Sequence, residues 1–343
     1  MSAAPERKSQ PDHTVDKSGF GAALRVVLAL RLRQNAVALC LCAFCLRTAL
    51  SQTDVSHRKS DPASLQPVQI PSHEALLNGF VYVAAGEGPH PVVILLHGIP
   101  GYERNLDIAQ DIRRNGWDVL YFDYRGSWGS PGVFTFSHCI EDAAAAIAYL
   151  RRASVAKDLR ADSSRIVLVG HSMGGFVAVE AASGDHGIEA VALISAVDLG
   201  GLVPQPLPEN TDTLVKGLSK GYASQGLAPL SGCTPDRLAH ETIINARQWS
   251  FVSKAGALSS KPLLIVTSDD GFAPGSGALV AALQAAGDRH IVTLHFATDH
   301  SYSDDRMTLS QAVVNWLSTK YVSGNEFSRR AMFPPINDQH NIN

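Results

Sequence analysis

Residues 165–178 read RIVLVGHSMGGFVA. A near-continuous apolar run passes directly into Gly-His-Ser-Met-Gly-Gly, and a small-residue apolar run follows at once. Apolar strands without alternation are those covered on both faces. Glycines at 170 and 174, flanking Ser172, suit a turn so tight that side chains there would collide as strand and helix close on each other. Such a turn lifts the Ser172 hydroxyl above the sheet edge. It also aims the Met173 backbone N–H, backed by the positive end of the next helix, at a point where negative charge could collect. Taken alone, the spacing also fits a glycine turn with an idle serine, so the rest of the chain decides.

From residue 76 onward, short apolar runs alternate with helical stretches. Strand-like runs fall over 79–84, 92–96, 119–122, 166–169, 191–194, 263–267 and 291–296. Helical stretches lie over 106–114, 139–152, 174–183, 276–286 and 304–321. In the last, Met307, Val314, Leu317 and Tyr321 share one face at a period of 3.6. This alternation predicts an α/β domain over 72–321, with a mostly parallel central sheet flanked by helices. Sites in such sheets sit beyond the carboxyl ends of the strands. Residues 199–260 break the alternation, with helical patterning around 213–224 and 235–250. A segment this long inside a compact domain reads as a small helical lid. Residues 52–71 read as a linker and 322–343 as a polar tail.

The chain has 343 residues, 45% hydrophobic and 18% charged, with a net charge of −3. These values fit a globular protein, and without a basic block in the body there is no electrostatic footprint for nucleic acid. At the N-terminus, Arg25, Arg31 and Arg33 precede an apolar run of eleven residues, Ala36 to Leu46, and Ala49-Leu50-Ser51 follows. This order is the grammar of a secretory signal over residues 1–51 and predicts export. An uncleaved anchor is a second reading, although the run is shorter than the roughly 20 residues of a spanning helix. A cytoplasmic protein with its start set too far upstream is a third. No Cys or His spacing fits a metal site, and no metal or cofactor is expected. Cys139 and Cys233 could form a disulfide in an oxidising compartment or remain buried thiols.

Three strand-end segments bear on Ser172. LLHGIPG (95–101) lets the backbone approach closely at Gly98, so the amide of Ile99 can supply a second oxyanion donor. LLIVTSDDGFAP (263–274) delivers Asp269 and Asp270 to the same sheet edge, where a carboxylate could orient an imidazole. Asp198 is a rival acid. HFATDHSYSDD (295–305) places His300 in a loop before the final helix, where it could act as a general base. His97 and His171 are locked into motif backbone, and His295 lies inside a strand. Singly, these segments also read as a Pro-Gly turn, a helix cap and a solvent-facing loop. Together they set Ser, Asp and His after successive strands in that order.

With HGIPG, DYRGSWGS (123–130), GHSMGG, DDGFAP and DHSYSD, the chain resembles the α/β-hydrolase superfamily over residues 72–321. It looks most like the dienelactone-hydrolase, serine-aminopeptidase and prolyl-oligopeptidase-like branch, although the lid matches no subgroup and there is no room for a propeller domain. The resemblance implies a serine hydrolase acting through an acyl-enzyme. It maps Ser172 to the nucleophile, His300 to the base, and the amides of Ile99 and Met173 to the oxyanion hole. The Asp-x-x-x-Pro spacing selects Asp270 over Asp269. Trp128, Phe134, Tyr222 and Trp249 suggest an apolar pocket, hence a carboxylic ester or thioester substrate. A short peptide substrate, acyl transfer to an alcohol and an inactive binding protein on the same fold stay open.

Overall fold

The computed structural model describes residues 61–321. The expected export signal and the polar tail lie outside these residues. An eight-stranded sheet runs in the order β1-β2-β4-β3-β5-β6-β7-β8. Its strands are β1 (Ser64–Ser72), β2 (Ala75–Val83), β3 (His90–Leu96), β4 (Asp118–Phe122), β5 (Ala161–His171), β6 (Ile188–Ile194), β7 (Leu263–Ser268) and β8 (Ile291–Phe296). β1 pairs antiparallel with β2, and β2 with β4; every other pairing is parallel. The helices are α1 (Leu106–Arg114), α2 (Phe136–Leu150), α3 (Ala153–Leu159), α4 (Met173–Gly184), α5 (Asp212–Ala223), α6 (Pro235–Trp249), α7 (Phe251–Leu258), α8 (Ala273–Ala285) and α9 (Arg306–Tyr321).

The sheet is covered on both faces, which is why its middle strands read as unbroken apolar runs. In β3, Val92, Ile94 and Leu96 pack into a core shared with α2, α4 and the lid, whereas Val93 and Leu95 face α1 and α9. α4 is buried along almost its whole length, from Met173 to Ala182. Its small residues suit a helix pressed between the sheet and other helices.

The linker expected over 52–71 is corrected from Ser64 onward. Those residues form β1, paired with β2 from Ser64↔Val83 to Ser72↔Ala75. Pro67 and Pro71 hid the strand, because proline removes a ladder donor and is tolerated mainly at a sheet edge, which is where β1 lies.

The insertion expected over 199–260 is helical and is fastened at several points. Ser231 N–H donates to the Gly126 carbonyl at 2.7 Å, and Phe134 N–H to the Ser231 carbonyl at 2.9 Å. The Glu241 carboxylate accepts the Phe136 and Ser137 N–H groups at 3.0 and 2.9 Å, capping the orphan donors that open α2. α6 has its own cap: Thr234 Oγ1 accepts the Arg237 N–H, and proline opens the helix. Cys139 and Cys233 are free thiols, and burial pushes both upward in pKa.

Candidate active site

The strand–turn–helix of β5 and α4 presents Ser172 at φ 59° and ψ −123°, a backbone conformation that L-residues avoid. The glycines around it are sterically required. A Cβ on Gly170 would lie 2.2 Å from the Gly174 carbonyl oxygen, and one on Gly174 would lie 2.1 Å from that of Leu96. The turn is pinned by the Ser172 N–H donating to the Ile194 carbonyl at 2.9 Å.

The β3–α1 loop abuts the serine. A Cβ on Gly98 would sit 2.8 Å from Ser172 Cβ and 3.2 Å from its Oγ. The Met173 N–H lies at the start of α4, where helical amides lack an intrahelical acceptor. Trp128, half-buried, closes one side of the loop. Its indole N–H donates to the Pro100 carbonyl at 2.6 Å, and the Arg104 guanidinium lies 4.4 Å from its ring. Behind this loop His97 is fully buried, and burial drives its pKa down to about 4.

The two adjacent acids part company. Asp270 Oδ2 lies 2.7 Å from His300 Nδ1, whereas Asp269 Oδ1 lies 3.2 Å from His295 Nε2 on the exposed edge strand. Burial would raise Asp270, but the hydrogen bonds from His300 and the Phe272 N–H, with the Ser195 and Ser268 hydroxyls nearby, outweigh it and hold the carboxyl well below the usual range. His171 joins this loop to the elbow: its Nε2 lies 2.9 Å from the His300 carbonyl, and the two rings are 4.8 Å apart. Phe272 meets the His300 ring edge-on at 5.4 Å.

Asp198, the rival acid, is engaged with backbone. Its Oδ1 accepts the Gly201 N–H at 2.9 Å and the Phe251 N–H at 3.2 Å, fixing both ends of the lid to the end of β6. Tyr222 and Trp249 are only 7% and 3% exposed. Their rings join Phe136 and Phe176 in one aromatic cluster, with Trp249 5.1 Å from Phe176 and Tyr222 5.5 Å from Phe136. The Tyr222 hydroxyl lies 2.7 Å from Thr242 Oγ1. These rings seat the lid on the core instead of lining the open pocket expected of them. Phe134 is likewise fully buried.

The loop at 123–130 is held by a buried ion pair. Asp142 accepts Arg125 Nε at 2.6 Å and the Arg125 N–H at 2.7 Å. Sequence reasoning missed the hydroxyls of Ser195, Ser268 and Tyr302 around Asp270. The two serines do lie at carboxyl ends of strands, but serine at a strand end is too common a feature to single out. Among the described residues, no group of three or more His, Cys, Asp or Glu side chains could hold a metal ion.

A mostly parallel sheet, a strained serine between β5 and α4, and an Asp–His pair after β7 and β8 together define the α/β-hydrolase fold. The chain has the α/β-hydrolase fold and is similar to the superfamily of that name. A family profile described as alpha/beta hydrolase fold matches residues 91–254. The quorum-quenching protein AidA of Acinetobacter baumannii (strain MDR-ZJ06) is 29% identical over 136 residues, 38% of this chain and 43% of that relative. The similarity thus spans less than half of that protein. Among solved structures, the Pyrococcus furiosus esterase Pf2001 superposes with a TM-score of 0.53 at 18% identity, covering 77% of this chain and 94% of that one. A highly thermostable carboxyl esterase from Bacillus coagulans gives 0.53 at 14% identity, covering 75% of this chain and 98% of that one.

Proposed function

We propose that the protein is a serine hydrolase that cleaves a carboxylic ester or thioester through an acyl-enzyme. Ser172 attacks the carbonyl carbon while His300 takes its proton. Asp270 holds the imidazole in the tautomer that leaves Nε2 free to act and stabilises the imidazolium that forms. The amides of Ile99 and Met173 receive the tetrahedral oxyanion, where loss of one donor typically slows reaction about 100-fold or more. His300 then returns the proton to the leaving group, and water repeats the sequence on the acyl-enzyme.

The observation that carries this reading is the 2.7 Å bond between Asp270 and His300, set in a loop that His171, the residue before Ser172, fastens to the elbow. Such a pair orients a base, and the proposed partner of that base is the constrained hydroxyl next to His171. The esterases of Pyrococcus furiosus and Bacillus coagulans share the fold and support an ester substrate, with Trp128 beside the bound acyl or alcohol group. The Asp-x-x-x-Pro spacing from Asp270 to Pro274 and the helix after it resemble the branch that includes dienelactone hydrolases.

The test is a fluorophosphonate probe together with a panel of p-nitrophenyl esters and aminoacyl-nitroanilides. Wild-type protein is expected to be labelled at Ser172 and to turn over esters, and Ser172→Ala to lose both while keeping its far-UV circular dichroism. Turnover of the nitroanilides alone would reassign the substrate to peptides. Absence of labelling in folded wild-type protein would point to a binding role on the same fold.

A further inference from the structure

The lid is not held evenly along its length. Six of the fifteen residues of α6 are buried, among them Leu238 and Trp249. Of the twelve residues of α5, only Tyr222 is buried. Thr234 caps α6, and its Glu241 grips the start of α2. Thr211 gives α5 no side-chain cap, and Asn210 Oδ1 reaches only its first N–H, at 2.8 Å. Gly217 and Gly221 lie inside α5, and a Cβ at either would meet nothing within 4 Å. Glycine weakens a helix interior relative to alanine, and no close approach requires it at these two positions.

Both ends of α5 lead into loosely held chain. Residues 204–210, before it, are all exposed. After it, Gly226, at φ 71°, accepts a bond from the Tyr102 hydroxyl at 3.3 Å. Tyr102 is 63% exposed, stands on the loop that abuts Ser172 and meets the Trp128 ring edge-on at 5.4 Å. Three residues further the chain is firm again, with the Trp128 N–H donating to the Pro229 carbonyl at 3.1 Å and the Ser231 N–H to that of Gly126 at 2.7 Å. What holds α5 itself is the Tyr222–Thr242 bond, an exposed bond from Ser219 to Asp236, and the half-buried Leu214, Val215 and Leu218 against Val203, Ile243 and Ala246. Local opening draws on elements with few buried side chains and exposed hydrogen bonds.

We propose that α5 is the opening part of the lid, hinged at Gly226 and latched by Tyr102, while α6 is its fixed seat, and that this opening admits the acyl chain of an ester to Ser172. Opening uncovers the apolar face of Leu214, Val215 and Leu218, which suits a long hydrocarbon chain. The gating role rests on the Ser172–His300–Asp270 reading; the opening of α5 does not.

The experiment pairs hydrogen–deuterium exchange of the full chain with hydrolysis of p-nitrophenyl acetate and p-nitrophenyl decanoate. In wild-type protein the α5 amides are expected to exchange at least about tenfold faster than those of α6. The double variant Gly217→Ala, Gly221→Ala is expected to slow exchange in α5 on the order of tenfold and leave α6 unchanged. Its kcat/KM for the decanoate is expected to fall by a similar factor, and that for the acetate by less than about twofold, because the binding-competent fraction scales the apparent affinity.

Equal exchange in α5 and α6 of the wild type would overturn the proposal. So would slowed exchange with decanoate turnover unchanged, or equal losses for both esters, which would place the effect on the chemistry instead of on access. If the double variant does not fold, Tyr102→Phe takes its place with the opposite sign: loss of the latch is expected to speed α5 exchange and raise decanoate kcat/KM severalfold, and no change in either would overturn the proposal. Failure of the underlying reading shows separately, as wild-type protein that hydrolyses neither ester while α5 still exchanges faster than α6; the gating role would then fall with that reading.

Discussion

His171 Nε2 and the His300 carbonyl oxygen lie 2.9 Å apart across 129 residues of sequence. A carbonyl only accepts, so His171 must carry its proton on Nε2, which leaves Nδ1 bare and without a partner. Burial takes the pKa of this ring, which ties the His300 loop to the elbow, down to about 4, so it is neutral near pH 7.

This has a consequence for stability. His97 is depressed to about 4 as well, again chiefly by burial. Both folded values lie below the roughly 6.5 of an unfolded histidine. At these two sites the unfolded chain therefore binds protons first, and their contribution to stability is full above about pH 6.5 and declines as pH falls toward 4. Asp270 stays ionised through this window. Near pH 5 the two histidines are expected to take up about two protons on unfolding, opposed by release from the buried Asp118 carboxyl, which burial raises to about 8. Urea denaturation between pH 4 and 7 is expected to show about one proton less taken up on unfolding near pH 5 in His97→Gln than in wild type, and an unchanged pH profile in that variant would contradict the buried neutral state.

The elbow holds strain that glycine would relieve. Ser172 sits at φ 59° and ψ −123°, and positions of this kind cost roughly 1–3 kcal/mol. Ser172→Gly is expected to abolish esterase turnover and raise stability by about 1 kcal/mol, read as a higher thermal midpoint. A lower midpoint would show that the hydroxyl contributes more to the fold than the backbone strain costs.

Two glycines are expected to give opposite answers. Gly174→Ala forces a Cβ to 2.1 Å from the Leu96 carbonyl oxygen, and α4 has no room to retreat. The expected loss is about 3 kcal/mol or more, seen as poor solubility or a strongly lowered midpoint. A Cβ on Gly277, inside α8, would meet nothing within 4 Å. There Gly277→Ala is expected to stabilise by roughly 0.5 kcal/mol through helix propensity.

Trp128 holds the loop after β3 through the Pro100 carbonyl at 2.6 Å. Trp128→Phe keeps an aromatic ring but removes the donor. If the proposed mechanism holds, a loosened loop misplaces the Ile99 amide in the transition state more than it weakens substrate binding. The expected outcome is a kcat lower on the order of tenfold with KM little changed. A rise in KM at constant kcat would instead give the indole a role in holding substrate.

Local rules made much of this architecture readable in advance. α1 begins and ends where the pattern sets it, at Leu106 and Arg114, because Ile108, Ala109 and Ile112 form one buried face. The lid helices around 213–224 and 235–250 appear within a residue of those limits, as Asp212–Ala223 and Pro235–Trp249. β1 escaped notice because its two prolines read as linker when no partner strand is in view. α3 and α7 escaped because helices of seven and eight residues are too short to establish a period.

What the sequence determined by itself was the tight turn at Ser172, the succession of strands and helices, and the set of strand ends that meet at one edge. Each depends on residues within a few positions of one another, where sterics and burial period act directly. Which acid faces which imidazole was indicated beforehand only by the resemblance in Asp-x-x-x-Pro spacing, and its geometry, like the placing of the Tyr222 and Trp249 rings, was decided by tertiary structure. Asp269 and Asp270 are chemically identical neighbours, and a turn of the backbone sends one to an exposed strand and the other, buried, to His300. Side-chain convergence across tens of residues is set by how whole layers pack, and no short window of sequence contains that information.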